Sequence, residues 1–126
     1  MADHGTWRKA PSELVERFGA GVAGIEGLET RKMFGYPAGF IGGNMVTGLH
    51  QDSWIVRLPE DERAARLEAG WSVFEPMAGR PMREYVALPT TIADEPDAAR
   101  EWVERAAQYV RTLPPKVPKP KKPKTG

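Results

Sequence analysis

Between Arg31 and Leu58 the chain reads RKMFGYPAGFIGGNMVTGLHQDSWIVRL, a series of short apolar runs cut at close intervals by Gly, Pro, Asn or Asp. No long helix survives that punctuation, whereas consecutive strands joined by tight turns require it. Arg31 to Phe34 reads as a first strand, broken by Gly35-Tyr36-Pro37. Ala38 to Ile41 is a second, ending at Gly42-Gly43-Asn44, residues that tolerate the positive φ angles of a hairpin. Met45 to Leu49 is a third, followed by the turn His50-Gln51-Asp52. In Ser53 to Leu58, Trp54, Val56 and Leu58 alternate with Ile55 and Arg57, the period of a strand. Turns of about three residues make such neighbours antiparallel, because parallel strands need crossovers of a dozen residues or more. The stretch is a meander.

The flanks read as helices able to cover that sheet. Pro11 stands at a helix start, with Leu14, Val15, Phe18 and Val22 on one face, and the accumulating glycines Gly19, Gly21 and Gly24 end the helix near Ala23. Pro59-Glu60-Asp61-Glu62 opens a short second helix that Gly70 stops, with little to bury beyond Leu67 and alanines. From Trp71 to Arg83 the pattern is irregular, interrupted by Pro76, Gly79 and Pro81. Glu84 to Leu88 is a fifth strand. From Asp94 onward Ala99, Trp102, Val103, Ala106, Val110 and Leu113 hold one face over about four turns, until Pro114-Pro115 ends the helix. The fold class expected is α+β: an antiparallel meander sheet of about five strands, an N-terminal helix, a short middle helix and a long amphipathic C-terminal helix.

A chain of 126 residues suits one domain with a core of its own. The absence of Cys excludes disulfides and thiolate metal sites. No apolar run reaches the roughly 20 residues of a membrane span, and the N-terminus lacks an apolar segment of signal-peptide length, so a cytoplasmic location is expected. The charge is unevenly distributed. Residues 1–113 hold 13 basic and 17 acidic groups, a net of −4, while Lys116, Lys119, Lys121, Lys122 and Lys124 follow Pro114 without a single acid. The expected division is therefore a folded domain over 1–113 and a disordered Lys/Pro-rich tail over 114–126. A flexible polycation of this kind contacts phosphates without reading sequence.

Candidate chemistry is sparse. His50 and Asp52 lie two apart and could orient one another for general-base work, but no nucleophile or second His accompanies them, and a solvated turn accounts for both. His4 stands alone in the N-terminal segment. Gly39, Gly42 and Gly43 fit neither a dinucleotide fingerprint nor a P-loop, and a hairpin explains them better. Glu60, Asp61 and Glu62 have sufficient reason to be in the first turn of a helix. No metal-binding or nucleophile motif is present, so the chain reads as non-enzymatic, with no cofactor and no metal. Trp71, Met77, Arg80, Met82 and Arg83, gathered in the irregular stretch, are the candidates for a partner groove.

Arg31-Lys32-Met33-Phe34-Gly35 resembles the hallmark of the TfoX/Sxy N-terminal domain family, a basic-basic-Met-Phe-Gly run after a first helix. The hairpin GFIGGNM, the segment WIVRLPEDERAARLEAG and the later FEPMAGRPMREYVALP follow in that family's order, so the resemblance covers about residues 12–112. It implies an α+β domain with an antiparallel sheet and packed helices. The family takes its name from regulators of natural competence that act with a cyclic-AMP-responsive transcription factor. Full-length regulators carry a second, helical C-terminal domain where this chain carries its Lys/Pro segment, so transcriptional activation does not transfer with the resemblance. No catalytic residues transfer either, and the five signature residues carry over only as a signature. The expectation is a regulatory or interaction module that is a monomer or homodimer. It would have a protein partner, weak nonspecific nucleic-acid contact through the tail, and no membrane contact. The alternative is a small-molecule-binding or enzymatic domain with a pocket near residues 71–83.

Overall fold

The computed structural model describes residues 12–33, 35–77 and 79–115. Helix α1 (Ser12–Val22) leads to four strands, β1 (Glu29–Met33), β2 (Tyr36–Ile41), β3 (Asn44–His50) and β4 (Ser53–Arg57). Helix α2 (Glu60–Glu68) then precedes β5 (Ser72–Met77) and β6 (Arg80–Ala87), and a single turn, α3 (Thr90–Ala93), precedes the long helix α4 (Pro96–Arg111). The class is the α+β arrangement expected, on an open antiparallel sheet of six strands in the order β1-β2-β3-β4-β6-β5.

The expected meander is present from β1 to β4. At its centre Gly42 and Gly43, at φ +59° and +82°, form a two-residue loop closed by the pair Ile41 and Asn44. Positive φ at both central positions is the turn whose twist matches the flanking strands. The sixth strand comes from the stretch that reads as irregular. Its apparent breakers are tolerated for positional reasons. Pro76 lies on the edge strand, between rungs where the register shifts, and Gly79 at φ +78° lies in the turn of the β5–β6 hairpin. The chain passes from β4 through α2 to the outer position and returns as β6 between β5 and β4.

A register shift between β2 and β3 sets which side chains meet the helices. Gly39 pairs with Thr47 but Phe40 pairs with Met45, so β3 carries one extra residue, Val46. The bulge resets the alternation. Met45 and Gly48 face one side, while Val46, Thr47 and Leu49 face the other. The latter side is covered by α1 and α4, with Leu14, Phe18 and Val22 of α1 and Val103, Ala106, Ala107 and Val110 of α4 packed on Val46, Leu49, Trp54, Val56 and Val86. Alanines on α4 let its axis lie close to the sheet. The two helices run parallel and are tied along their length. Arg17 meets Asp94 at 3.4 Å, Arg100 Nη1 donates to the Ala23 carbonyl at 2.6 Å, and Arg111 donates to the Glu26 carbonyl at 2.8 Å. Arg100 thus satisfies carbonyls at the glycine-rich end of α1, a favourable place for a cation.

Trp54 is fully buried beneath α1. Its indole N–H donates to Thr47 Oγ1 at 2.9 Å, the Thr47 hydroxyl donates to the Ile55 carbonyl at 2.7 Å, and the Phe18 ring lies 5.4 Å away. Helix α1 reaches the indole through Gly21, where a Cβ would stand 2.7 Å from the ring, whereas a Cβ at Gly19 would meet nothing within 4 Å. Two Gly→Ala changes two residues apart in one helix therefore have opposite signs. Gly19→Ala should stabilise by up to about 1 kcal/mol through helix propensity. Gly21→Ala should destabilise by about 1–3 kcal/mol, because the hydrogen-bonded indole cannot retreat. Urea denaturation of the two variants, compared at equal slope, checks both signs.

Candidate functional site

The sheet face away from the helices is concave and apolar. Ala38, Met45, Ile55, Phe74 and Tyr85 form a second buried cluster there, flanked by Met33, Phe40, Met82 and Ala87. Its burial comes from curvature. The rings of His50 on β3 and Phe74 on β5 are 5.3 Å apart, although two strands lie between them and three spacings of a flat sheet would separate those strands by roughly 14 Å. The register shifts on β5 supply the bend. Met33 from one edge of the sheet and Phe74 from the other line the same cavity of about 30 Å³.

At one end of this face His50 sits between Tyr36, at 5.2 Å, and Phe74, with Tyr85 6.4 Å beyond Phe74. A cleft of about 450 Å³ opens beside it, with Ser53, Ser72, Glu75 and Thr90 as polar lining and Trp71, Phe74, Leu88 and Pro89 as apolar lining. Gln51, also at the cleft, takes φ +56° in the two-residue loop between β3 and β4, a conformation usually left to Gly or Asn. Burial pushes the His50 imidazole below its ordinary 6.5. Burial also pushes the Tyr85 phenol up, opposed by the Arg57 guanidinium beside it. That guanidinium is itself paired with Glu84 and stands over the Tyr85 ring.

On the helix side, Trp71 and Trp102 meet edge to face at 4.9 Å. Arg66 of α2 lies 5.5 Å from the Trp71 ring and 5.2 Å from the Trp102 ring, and Arg105 stands over Trp102 at 4.4 Å while reaching Glu62 at 3.7 Å. Helix α2 has no buried residue of its own, so these cation–π contacts and the ion pair are what hold it beside α4.

The proposed groove residues are therefore not brought together. Trp71 packs with the helix-side core and Met82 with the concave cluster on the opposite face. Arg83 is exposed, and its carbonyl accepts from Arg63 at 3.0 Å. Met77 and Arg80 pair across the tip of the β5–β6 hairpin, at the end remote from Trp71. Of the signature residues, Arg31 and Lys32 are exposed on β1, with the Arg31 guanidinium 4.6 Å from the Phe40 ring and 3.9 Å from Glu29. Met33 enters the concave cluster, and Gly35 takes φ +83° in the turn to β2. Phe34 lies outside the described residues, as do Lys116, Lys119, Lys121, Lys122 and Lys124. The place where the Lys segment begins is fixed, since Asn44 Nδ2 donates to the Pro114 carbonyl at 3.0 Å and Pro115 lies against Gly42.

The pairing of His50 with Asp52 is not made among the described residues; Asp52 is exposed at the hairpin tip while His50 turns onto the concave face. The cleft residues Ser53, Ser72 and Thr90 carry no local signal, and only the curl of the sheet and the placement of β5 assemble them. Among the described residues no group of three or more His, Asp or Glu side chains could hold a metal ion. No described helix is long and apolar enough to cross a membrane.

The depressed His50 value has a defined consequence. The unfolded chain takes up this proton at higher pH than the folded one, so the stability it contributes is complete above about pH 6.5 and falls as pH drops through the window below it. His50→Phe keeps the ring contacts and removes the titration. Between pH 7.5 and 5 the melting temperature of the wild type should fall further than that of the variant. Parallel profiles would mean that the imidazole protonates as freely as in the unfolded chain.

A family model described as the TfoX N-terminal domain matches residues 20–109, from the end of α1 to the last turns of α4. No curated protein and no solved structure matches the chain. The match spans every strand of the sheet and well over half of the chain, and the chain belongs to the TfoX N-terminal domain family.

Proposed function

We propose that this domain is a non-enzymatic, cytoplasmic regulatory module of the TfoX N-terminal type, acting through protein contacts at the sheet edge and the β5–β6 hairpin. Those protein contacts link the module to transcription or competence regulation, and its C-terminal Lys segment adds weak, sequence-independent contact with nucleic acid. The observation that carries this reading is the anchored start of that segment. Asn44 holds the Pro114 carbonyl beside the β2–β3 turn, one strand away from β1 with its exposed Arg31 and Lys32. Pro115, the last described residue, stands beside that turn, and the five lysines follow it in sequence. Phosphate backbones are attracted to this side of a domain whose residues 1–113 carry a net −4.

A salt titration of duplex DNA binding tests it, comparing the full chain with a chain ending at Pro115. Each neutralised phosphate contributes a slope of about −0.9 in log K against log salt, so engagement of the whole segment gives at most about −4.5. The full chain should lose affinity steeply as salt rises, and the shortened chain should lose most of its affinity at low salt. Equal binding by the two chains, or none by either at low salt, removes the nucleic-acid reading.

A further inference from the structure

The two edges of the sheet differ in whether they can accept another strand. On β5, Pro76 and two register shifts interrupt the outward row of backbone groups, which is how natural sheets close an edge. On β1 the five rungs to β2, from Glu29–Phe40 to Met33–Tyr36, run without a shift, and the strand contains no proline. Glu29, Thr30, Arg31 and Lys32 are all exposed, and among the described residues no strand pairs with their outer side.

What would complete this edge follows from symmetry and charge. Two identical antiparallel strands related by a two-fold axis must place one residue opposite itself. An axis at Arg31 sets two guanidinium groups directly opposite each other, which is repulsive. An axis at Thr30 sets Glu29 opposite the partner's Arg31 and Arg31 opposite the partner's Glu29. Both pairs lie on the concave face, where the two side chains are 75% and 56% exposed. Thr30, whose rung partner is Gly39, lies on the helix side, and two threonines facing one another are a favourable cross-strand pair. Lys32 then lies opposite the partner's Leu28, with its stem over an apolar side chain.

We propose that β1 is a dimerisation edge that pairs antiparallel with β1 of a second copy about a two-fold axis at Thr30, joining the two sheets into one. The proposal names the partner at the sheet edge and rests on reading that edge as a contact surface.

The absence of Cys from the chain permits a direct test of the register. Directly opposed Cα atoms in an antiparallel pair are about 4.5–5.5 Å apart, within the range a disulfide spans. In a glutathione redox buffer, the full chain carrying Thr30→Cys should form covalent dimer at least about tenfold faster than one carrying Lys32→Cys, whose two thiols would lie roughly 13 Å apart along the strands. In sedimentation equilibrium the wild-type chain should dimerise with rising concentration. Glu29→Arg or Arg31→Glu alone should weaken the dimer by about tenfold, and the two together should restore it. Equal cross-linking at the two positions overturns the register. A monomer at all concentrations, or a double variant no better than the single ones, overturns the dimer. These outcomes are separable from those of the DNA titration. A monomer with steep, tail-dependent DNA binding loses only the dimer, and a Thr30-linked dimer indifferent to the tail loses only the nucleic-acid contact.

Discussion

Everything on the helix side of this domain depends on burying the indole of Trp54 with its N–H satisfied. A buried indole without a partner is costly, and the partner supplied is Thr47 Oγ1 on the neighbouring strand. Thr47 lies beside Val46 on that face because β3 carries an extra residue at this point. The same indole leaves no room for a side chain on α1 at its nearest approach, hence Gly21. Its backbone is used as well, since the Trp54 carbonyl accepts from Leu88 N–H at 2.8 Å and so fixes where the chain leaves β6 toward α3 and α4. A strand bulge, a helix glycine and the start of the C-terminal helical unit thus answer to one side chain.

The opposite face is solved by curvature in place of a second layer. The four described helices are on the Trp54 side or in contact with α4, and among the described residues none covers Met45, Ile55 or Tyr85. Those residues are buried because β5 bends back over the face until Phe74 reaches His50. Met33 and Met82 fill the space left between the approaching edges, a use suited to a flexible, unbranched side chain. The titration of His50 is a by-product of this closure, since the ring that completes the aromatic row is also the one that can take a proton.

These two constraints explain what was legible in the sequence and what was not. The Gly42-Gly43 hairpin, the stripe Ala99-Val103-Ala106-Val110 and the alternation in β4 are local patterns whose period or turn chemistry is decided within a few residues. They appear in the structure as read. Strand β5 was hidden because Pro76, Gly79 and Pro81 break a strand only where its backbone groups are needed by neighbours on both sides, and an edge hairpin does not need them. The partition of Trp71 and Met82 between opposite faces was hidden for the same reason, since without the hairpin no alternation could be assigned. The placement of His50 depends on contacts across three strand spacings, which no local pattern reports. For the functional residues, nearness in sequence was therefore a poor guide to nearness in space.

The signature run RKMFG shows how one short segment serves both sides of this arrangement. On a strand of period two, Arg31 and Met33 fall on the same face, yet Met33 is drawn into the concave cluster while Arg31, nearer the open end, lies over Phe40 with its guanidinium at the surface. Lys32 points to the other side and stays exposed, and Gly35 supplies the positive φ that turns the chain into β2. Met33 and Gly35 are thus accounted for by folding alone. The two cations stay at the surface: Arg31 covers the Phe40 ring, and its ion pair with Glu29 at 3.9 Å is exposed and weak. Beyond shaping the first hairpin, the described part of the run offers the exposed cations Arg31 and Lys32, on an edge strand without proline or register shift.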